Sequence, residues 1–134
     1  MDIFVRSLHD VQTRTLPCKC AVISVVNRFD ADADILDKDN AVAILRMRFD
    51  DILPSTGDFG VFNDDDAKKI WKFVDDWHNK VDGIVVHCIM GVSRSAAVAA
   101  ALAKKHDKMS WHHFFCDPLH PNRHVFKVMN DNAP

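Results

Sequence analysis

The stretch Val85-Val86-His87-Cys88-Ile89-Met90-Gly91-Val92-Ser93-Arg94-Ser95 decides the fold, because it joins a strand pattern to a helix pattern through a short loop. The apolar run over residues 84–86 is typical of a buried strand, and an alanine-rich helix pattern follows the loop. A helix N-terminus after such a strand is a place where proteins bind anions. Its first amide groups are unpaired, and the helix dipole is positive there.

The side chains of this loop suit chemistry on a phosphate group. Cys88 enters the loop and Arg94 leaves it, so a bound phosphate would lie above a sulfur and beside a guanidinium that can hold two oxygens. The helix start and the arginine both favour thiolate, the nucleophilic form of cysteine. Gly91 allows a tight bend, and Ser95 can donate its hydroxyl to the sulfur. We predict that Cys88 is a nucleophile and that His87 orients the loop. The alternative is a buried structural cysteine before an ordinary helix.

The order His-Cys-x5-Arg-Ser, from His87 to Ser95, resembles the signature of cysteine-dependent protein tyrosine phosphatases. The ending Gly-Val-Ser-Arg-Ser looks like the dual-specificity branch, and the compact phage and bacterial members are the nearest likeness. The likeness extends more weakly over most of the chain. It implies hydrolysis of phosphomonoesters through a cysteinyl-phosphate intermediate, with no metal or organic cofactor. The phosphate-binding residues that it implies are Ile89, Met90, Gly91, Val92, Ser93 and Arg94.

Composition indicates one soluble domain over residues 1–134. A chain of 134 residues with 48% hydrophobic residues can form one core. The net charge of −2 gives no general attraction to nucleic acid or to an anionic membrane. No apolar run reaches the length of a membrane span, and the N-terminus lacks the apolar core of a signal peptide. We therefore expect a cytoplasmic protein that binds neither nucleic acid nor membranes. The sequence does not give its oligomeric state, and we favour a monomer.

Hydrophobic patterns predict an α/β fold. Strand patterns cover residues 3–5, the near-continuous apolar run 21–26, the alternating stretch 41–49 and the run before Cys88. Helix patterns cover residues 10–14 with Ser7 as the cap, 63–77, 96–103, 111–115 with Ser110 as the cap, and 121–129. The expected architecture is a central, mostly parallel sheet of four or five strands with helices on both faces.

Three aspartates compete for the role of general acid. They follow the strand pattern 41–49, and loops after the strands of an α/β sheet are where ligands and chemistry are found. The departing oxygen needs a proton, which a carboxylic acid can supply. Asp51, in Phe-Asp-Asp-Ile, looks like the general-acid context of the compact phosphatases, and we favour it. Asp58 comes second because its interval from Cys88 resembles that of dual-specificity enzymes. Asp50 is expected to face solvent or to cap the turn.

Four cysteines in a chain without a signal peptide are expected to be free thiols. A zinc site would have to combine Cys-x-Cys at residues 18–20 with His-His-x-x-Cys at residues 112–116. The first spacing is tighter than usual for zinc, and the two halves lie far apart in the sequence. We instead expect Cys20 to open a buried strand and Cys116 to be a small core residue.

The expected substrate is a phosphorylated protein or peptide, carrying phosphotyrosine, with phosphoserine and phosphothreonine left open. The resemblance implies that phosphoinositide phosphatases of this superfamily carry extra lysines in the phosphate-binding loop. Here the corresponding side chains include Ile89, Met90 and Val92, and none is a lysine. Two alternatives remain on the same site: a phosphatase of a non-protein phosphomonoester, and a non-catalytic module that binds phosphopeptides. A rhodanese-like sulfur transferase is a third, which the Gly-Val-Ser-Arg-Ser helix start disfavours.

Overall fold

A sheet of four parallel strands forms the centre of the molecule. A computed structural model describes residues 1–54, 60–106 and 110–134. The strands lie in the order β1-β4-β2-β3, and every neighbouring pair is parallel. Their bounds are Asp2–Arg6 for β1, Cys20–Val26 for β2, Ala41–Arg48 for β3 and Gly83–His87 for β4. The predicted α/β class and parallel sheet are confirmed.

Helices cover both faces of this sheet. The helices are α1 (Leu8–Thr13), α2 (Asp64–Trp77), α3 (Arg94–His106), a 3₁₀ helix (Trp111–Phe115) and α4 (Arg123–Asp131). Side chains of α2, α3 and α4 form the larger core with Ile23, Val86 and their neighbours on one face. On the other face, Val11 of α1 and Ile35 pack against Val22 and Val85. The prediction of helices on both faces is confirmed. The short helix α1 covers the face opposite to α2, α3 and α4.

The two central strands are buried along their whole length. All residues of β2 and β4 are inaccessible to solvent, which explains why both read as continuous apolar runs. The edge strand β3 instead alternates between half-buried and exposed residues. Alanines let α3 lie close to the sheet, and each of its residues from 94 to 103 is buried. The loop between β4 and α3 is thus held between two rigid, buried elements.

Capping side chains fix most helix starts. Ser7 accepts a hydrogen bond from the Asp10 amide, as predicted, and α1 ends at Thr13. Asn63 and Asp66 form a reciprocal capping box at the start of α2. The prediction for residues 111–115 is wrong in detail: they form a 3₁₀ helix, and the Ser110 side chain does not cap it. This tighter helix occurs in short pieces and as a connector between other elements, and here it precedes the turn that leads to α4.

The cysteines divide between the core and the surface. Cys20 opens β2 and is buried, as predicted, with its Sγ 3.3 Å from that of Cys18. Burial and the neighbouring Cys18 thiol raise the pKa of Cys20 to about 12. The prediction for Cys116 is wrong, because it is exposed in the turn after the 3₁₀ helix, where no second layer covers it. Across the described ranges, no group of three or more histidine, cysteine or acidic side chains could hold a metal. No helix in them is long and apolar enough to cross a membrane.

Candidate active site

Cys88 follows the last residue of β4 and is 2% exposed. Its Sγ lies 3.1 Å from Ser95 Oγ, which is the contact predicted from the sequence. The Gly91 amide also donates to Sγ, at 3.3 Å. Two hydrogen-bond donors therefore face the sulfur, one from the loop and one from the first turn of α3. Donors aimed at a sulfur stabilise the charge that it carries as an attacking or departing thiolate.

Gly91 is required by the close approach of the loop to the junction between β1 and α1. Its φ is +73°, a conformation that favours glycine. A Cβ at this position would lie 2.7 Å from the Ser7 amide nitrogen and 2.8 Å from the Arg6 carbonyl carbon, both backbone atoms. The Leu8 amide donates to the Ile89 carbonyl at 3.0 Å across the same junction. The bend that the sequence predicted thus packs the loop directly on neighbouring backbone.

Donors from outside the loop hold its carbonyl groups. Besides the contact at Ile89, the His120 amide donates to the Val92 carbonyl at 2.7 Å, and the Asn122 amide donates to the Ser93 carbonyl at 3.1 Å. Carbonyl oxygens held in this way do not repel an anion inside the loop. The start of α3 at Arg94 supplies amide groups that have no partner within the helix. The Met90 side chain stands in solvent, 73% exposed.

Arg94 is 4% exposed and fixed by one edge of its guanidinium. Its Nη1 donates to Asn27 Oδ1 at 2.8 Å and to the Phe49 carbonyl at 2.7 Å. Its Nε is buried and has no hydrogen-bond partner within the part of the chain that the structure describes. A buried donor without a partner is costly, and a phosphate oxygen would satisfy it. Arg94 is therefore oriented by the protein on one edge and available to an anion on the other.

Asp51 is held against the loop by two donors on one oxygen. Ser93 Oγ and Asn122 Nδ2 each donate to Asp51 Oδ1 at 2.8 Å. Asn122 Nδ2 also contacts the Ile52 carbonyl at 3.2 Å. Because both bonds that the described residues make to this carboxyl group fall on Oδ1, Oδ2 is the oxygen that can carry a proton toward a substrate. The structure thus brings together Cys88, Arg94 and the aspartate that the sequence analysis favoured.

Asp50 and Asp58 are the other two candidates for the general acid, and the structure describes only Asp50. The prediction that Asp50 faces solvent or caps the turn is wrong, because its carboxylate is engaged by Arg28. Its Oδ2 lies 3.2 Å from Arg28 Nε in an ion pair, and its Oδ1 accepts the Arg28 amide at 3.1 Å. This carboxylate joins the end of β3 to the end of β2 because both strands finish at the same sheet edge. Asp58 lies outside the described residues.

His87 is fully buried and oriented from both ring nitrogens. Its Nδ1 lies 3.2 Å from the Cys88 carbonyl, and its Nε2 lies 2.6 Å from Ser24 Oγ. A carbonyl only accepts, so we assign the proton to Nδ1 and the acceptor role to Nε2. Arg46 Nη1 approaches the Ser24 hydroxyl from outside, at 3.4 Å. Burial lowers the pKa of His87 and so disfavours the charged ring. That the ring orients the loop stays a prediction.

Asn27 and Asn122 are site residues that the sequence analysis missed. Asn27 directly follows β2, so its place at the carboxyl edge of the sheet was a signal that could have found it. Asn122 was detectable as the start of the last helix, which it caps by accepting the amides of His124 and Val125. Its bond to Asp51 spans 71 positions in the chain, and no local pattern reports such a contact.

Comparison with known proteins identifies the fold. No protein-family model matches the chain, and neither does any curated protein. Among solved structures, human tyrosine phosphatase-like serine/threonine/tyrosine-interacting protein is 16% identical with a TM-score of 0.68, over 96% of this chain and 89% of that one. The fold is that of the cysteine-dependent protein tyrosine phosphatases. Human DUSP28 is 17% identical with a TM-score of 0.64, over 97% of this chain and 90% of that one.

A further match within the tyrosine phosphatase fold is PTPMT1, solved in complex with PI(5)P. It is 17% identical with a TM-score of 0.57, over 98% of this chain and 89% of that one. At such identities the likeness establishes the architecture alone. Any activity has to be argued from the residues of this chain.

Proposed function

We propose that this protein is a phosphatase that hydrolyses phosphomonoesters on proteins, above all phosphotyrosine, with Cys88 as the nucleophile. One observation carries the proposal. Three groups meet at a single loop: a sulfur faced by two donors, a buried guanidinium whose Nε has no partner among the described residues, and a carboxyl group anchored through one oxygen. Nucleophile, anion clamp and proton source are the three parts that phosphoryl transfer through a covalent intermediate needs.

The first half-reaction transfers the phosphoryl group to sulfur. The phosphate occupies the loop, where the Nε edge of Arg94 and the first amides of α3 hold its oxygens. Cys88 Sγ attacks phosphorus, and the bond from phosphorus to the alcohol or phenol oxygen breaks. Asp51 gives the proton on Oδ2 to that oxygen. The products of this step are a neutral alcohol or phenol and cysteinyl phosphate.

The second half-reaction returns the enzyme to its starting state. Water attacks phosphorus while Asp51, now a carboxylate, accepts a proton from it. The sulfur–phosphorus bond breaks, inorganic phosphate leaves, and Cys88 departs as thiolate. The donors at 3.1 Å and 3.3 Å, from Ser95 and Gly91, face the sulfur as its charge returns. No step requires a metal or an organic cofactor.

The loop side chains support a protein substrate. A lipid headgroup with several phosphates would require extra positive charge around the bound phosphate. Ile89, Met90 and Val92 add none. PTPMT1 was solved with PI(5)P, so a non-protein phosphomonoester is the nearest competing substrate. A non-catalytic phosphopeptide-binding module is the competing class, and the presence of Cys88, Arg94 and Asp51 together argues for turnover.

The test compares wild type with Cys88→Ser on an aryl phosphate and a phosphotyrosine peptide. Cys88→Ser should lose turnover of both while still binding inorganic phosphate, because a serine hydroxyl does not ionise at neutral pH. Cys116→Ser is the matched control, since that thiol is exposed in a surface turn. Retained turnover in Cys88→Ser would refute covalent catalysis by this cysteine. A wild type that binds phosphopeptide without turnover is a binding module, and preference for PI(5)P would move the substrate class to lipids.

A further inference from the structure

A cleft of about 460 Å³ opens between the segment after Asp51 and α4. Its lining residues combine two apolar side chains with basic ones: Leu53, Pro54, Arg123, His124 and Lys127. None of them takes part in the proposed chemistry. The cleft is therefore a separate feature of the molecule, and its position relative to the loop decides what can reach it.

The cleft begins where Asp51 is anchored. Asn122 Nδ2 contacts Asp51 Oδ1 and the Ile52 carbonyl, and the Asn122 amide donates to the Ser93 carbonyl of the loop. Arg123 is the next residue along the chain from Asn122, and Leu53 is the next from Ile52. An extended peptide advances about 3.3 Å per residue, so the residues flanking a bound phosphoresidue can reach the cleft.

Arg123 and Lys127 present two cations on the same face of α4, one turn apart. Arg123 is exposed and makes no hydrogen bond or ion pair with any residue that the structure describes. Lys127 Nζ lies 2.7 Å from Asp131, in an exposed pair of a kind that contributes little and exchanges readily. The His124 ring is already engaged, because its Nε2 lies 2.8 Å from the Phe62 carbonyl.

The helix itself gains nothing from a cation at this end. Arg123 is the first residue of α4, where the helix dipole opposes a positive charge, and α4 has no acid in its first turn. By contrast, α2 places three aspartates in its first turn. A residue that breaks a local rule without a local gain is best explained by a role outside the helix.

We propose that this cleft binds an acidic side chain flanking the phosphorylated residue, so that the substrates are acidic phosphopeptide segments. This inference rests on the proposed function, because it names the substrate of the same site. The carboxylate pairs with the Arg123 guanidinium, whose planar fork matches it, and Lys127 adds attraction. Leu53 and Pro54 contact the methylene groups. Apolar walls beside one cation that pairs with no described residue, Arg123, suit one carboxylate better than a headgroup with several phosphates.

The experiment uses phosphotyrosine peptides that differ only by Glu or Gln at one flanking position, scanned over three positions on each side. We expect a Glu peptide to exceed its Gln partner by about 3- to 10-fold in kcat/KM at one or two positions. High salt should shrink this ratio. In Arg123→Gln the ratio should fall to about one, and Arg123→Glu should instead prefer a flanking Lys. Lys72→Gln is the control, since it also removes one exposed positive charge from a helix, and it should keep the wild-type ratio.

The outcomes separate this inference from the proposed function. Turnover with equal rates for every Glu and Gln pair would overturn the cleft assignment and leave the phosphatase intact. If PI(5)P vesicles were hydrolysed faster than the peptides and Arg123→Gln lost this preference, the cleft would bind a lipid headgroup. The inference of an acidic peptide substrate would then be wrong. If wild type turned over no aryl phosphate, the proposed function would fail. A binding measurement with the same peptide pairs would still test the cleft in that case. Its preference for a Glu peptide over the Gln partner would be measured as a ratio of Kd values.

Discussion

Arg94 has structural partners on one edge of its guanidinium, and the proposed function assigns the other edge to the ligand. Nη1 is consumed by Asn27 and by the Phe49 carbonyl, which fixes the plane of the group before any substrate arrives. In the proposed mechanism the Nε edge meets the phosphate without a rotamer search, and preorganised donors are usually the largest source of rate in sites of this kind. A lysine offers one flexible point charge and cannot do both. The residue type follows from having two structural partners and one ligand.

Asp51→Asn tests the favoured general acid. The amide oxygen can still accept from Ser93 and Asn122, so the segment should keep its place while losing the proton it donates. General-acid help is worth about 10²–10⁴-fold, so turnover of phenyl phosphate should fall by about that factor. An activated aryl phosphate, whose oxyanion leaves unaided, should be affected much less. The pH profile should also lose its alkaline limb.

Asp50→Asn and Asp58→Asn are the controls for that experiment. Asp50 is engaged with Arg28 at the strand ends, so its substitution should leave the leaving-group sensitivity unchanged. If Asp58→Asn gave the selective loss and Asp51→Asn did not, the acid would be Asp58. The interval usual in dual-specificity enzymes would then have been the better guide.

At the scale of elements, Asn122 joins three parts of the molecule that are remote in sequence. It is 8% exposed, caps α4 with its carbonyl oxygen, donates its backbone amide to the phosphate loop and gives Nδ2 to Asp51. All of its side-chain bonds run to groups whose placement matters for the chemistry or for α4. A buried amide satisfied in this way specifies one arrangement of the elements around it.

Asn122→Asp separates the two roles of this side chain. Aspartate is as good an N-cap as asparagine, so α4 should persist. A carboxylate would now face Asp51 in place of a donor, and two adjacent carboxylates resist ionising together. Asp51 would also lose the donor that positions it, so we expect turnover of phenyl phosphate at the pH optimum to fall by about 10- to 100-fold, with the alkaline limb moved to higher pH.

Asn132→Asp is the matched control for that change. Asn132 Nδ2 also donates to an aspartate, Asp64, at 2.8 Å, but it does so at the C-terminal end of α4. It should lower stability by a similar amount and leave the pH profile of turnover as in wild type. Equal kinetic effects of the two substitutions would reduce Asn122 to a purely structural residue.

Local sequence patterns predicted the helices and strands, whereas the site contacts that were missed join residues far apart in the sequence. The near-continuous apolar runs of β2 and β4 and the cap at Ser7 depend on neighbours in sequence, so they were predictable. The partners of Arg94 and Asp51 come from Asn27 and Asn122, which only the folded chain brings near. Cys116 was misjudged because residue type alone does not say whether a second layer covers a turn.

At the scale of the whole molecule, the sheet buries a polar pair in its central strands. Ser24 of β2 and His87 of β4 are 1% and 0% exposed, and their side chains meet at 2.6 Å. The candidate site lies at the carboxyl edge of the same strands, where the His87 ring contacts the Cys88 carbonyl. A group whose charged form is excluded by burial links stability to pH. The molecule should therefore lose stability in mild acid before its carboxylates are protonated.

The pH dependence of unfolding tests this link. Burial lowers the pKa of His87 from its model-peptide value of 6.5, so below about pH 6.5 the unfolded chain binds a proton that the folded chain does not. Stability is thus fully present above that pH and falls as the pH drops, by at most about 1.4 kcal/mol per unit. Urea unfolding from pH 7.5 to 5.0 should show this slope. His106, whose pKa burial also lowers, should add to it in the same direction.

His87→Asn isolates the contribution of the buried ring. Asparagine cannot be protonated, so the variant should unfold with a flatter dependence on pH, whatever stability it loses uniformly. His9→Asn, at an exposed position of α1, is the control and should retain the wild-type slope. The comparison concerns slopes, so a general destabilisation of the His87 variant does not obscure it. If the slopes of wild type and His87→Asn coincided, protonation of this imidazole would not limit the acid stability of the fold.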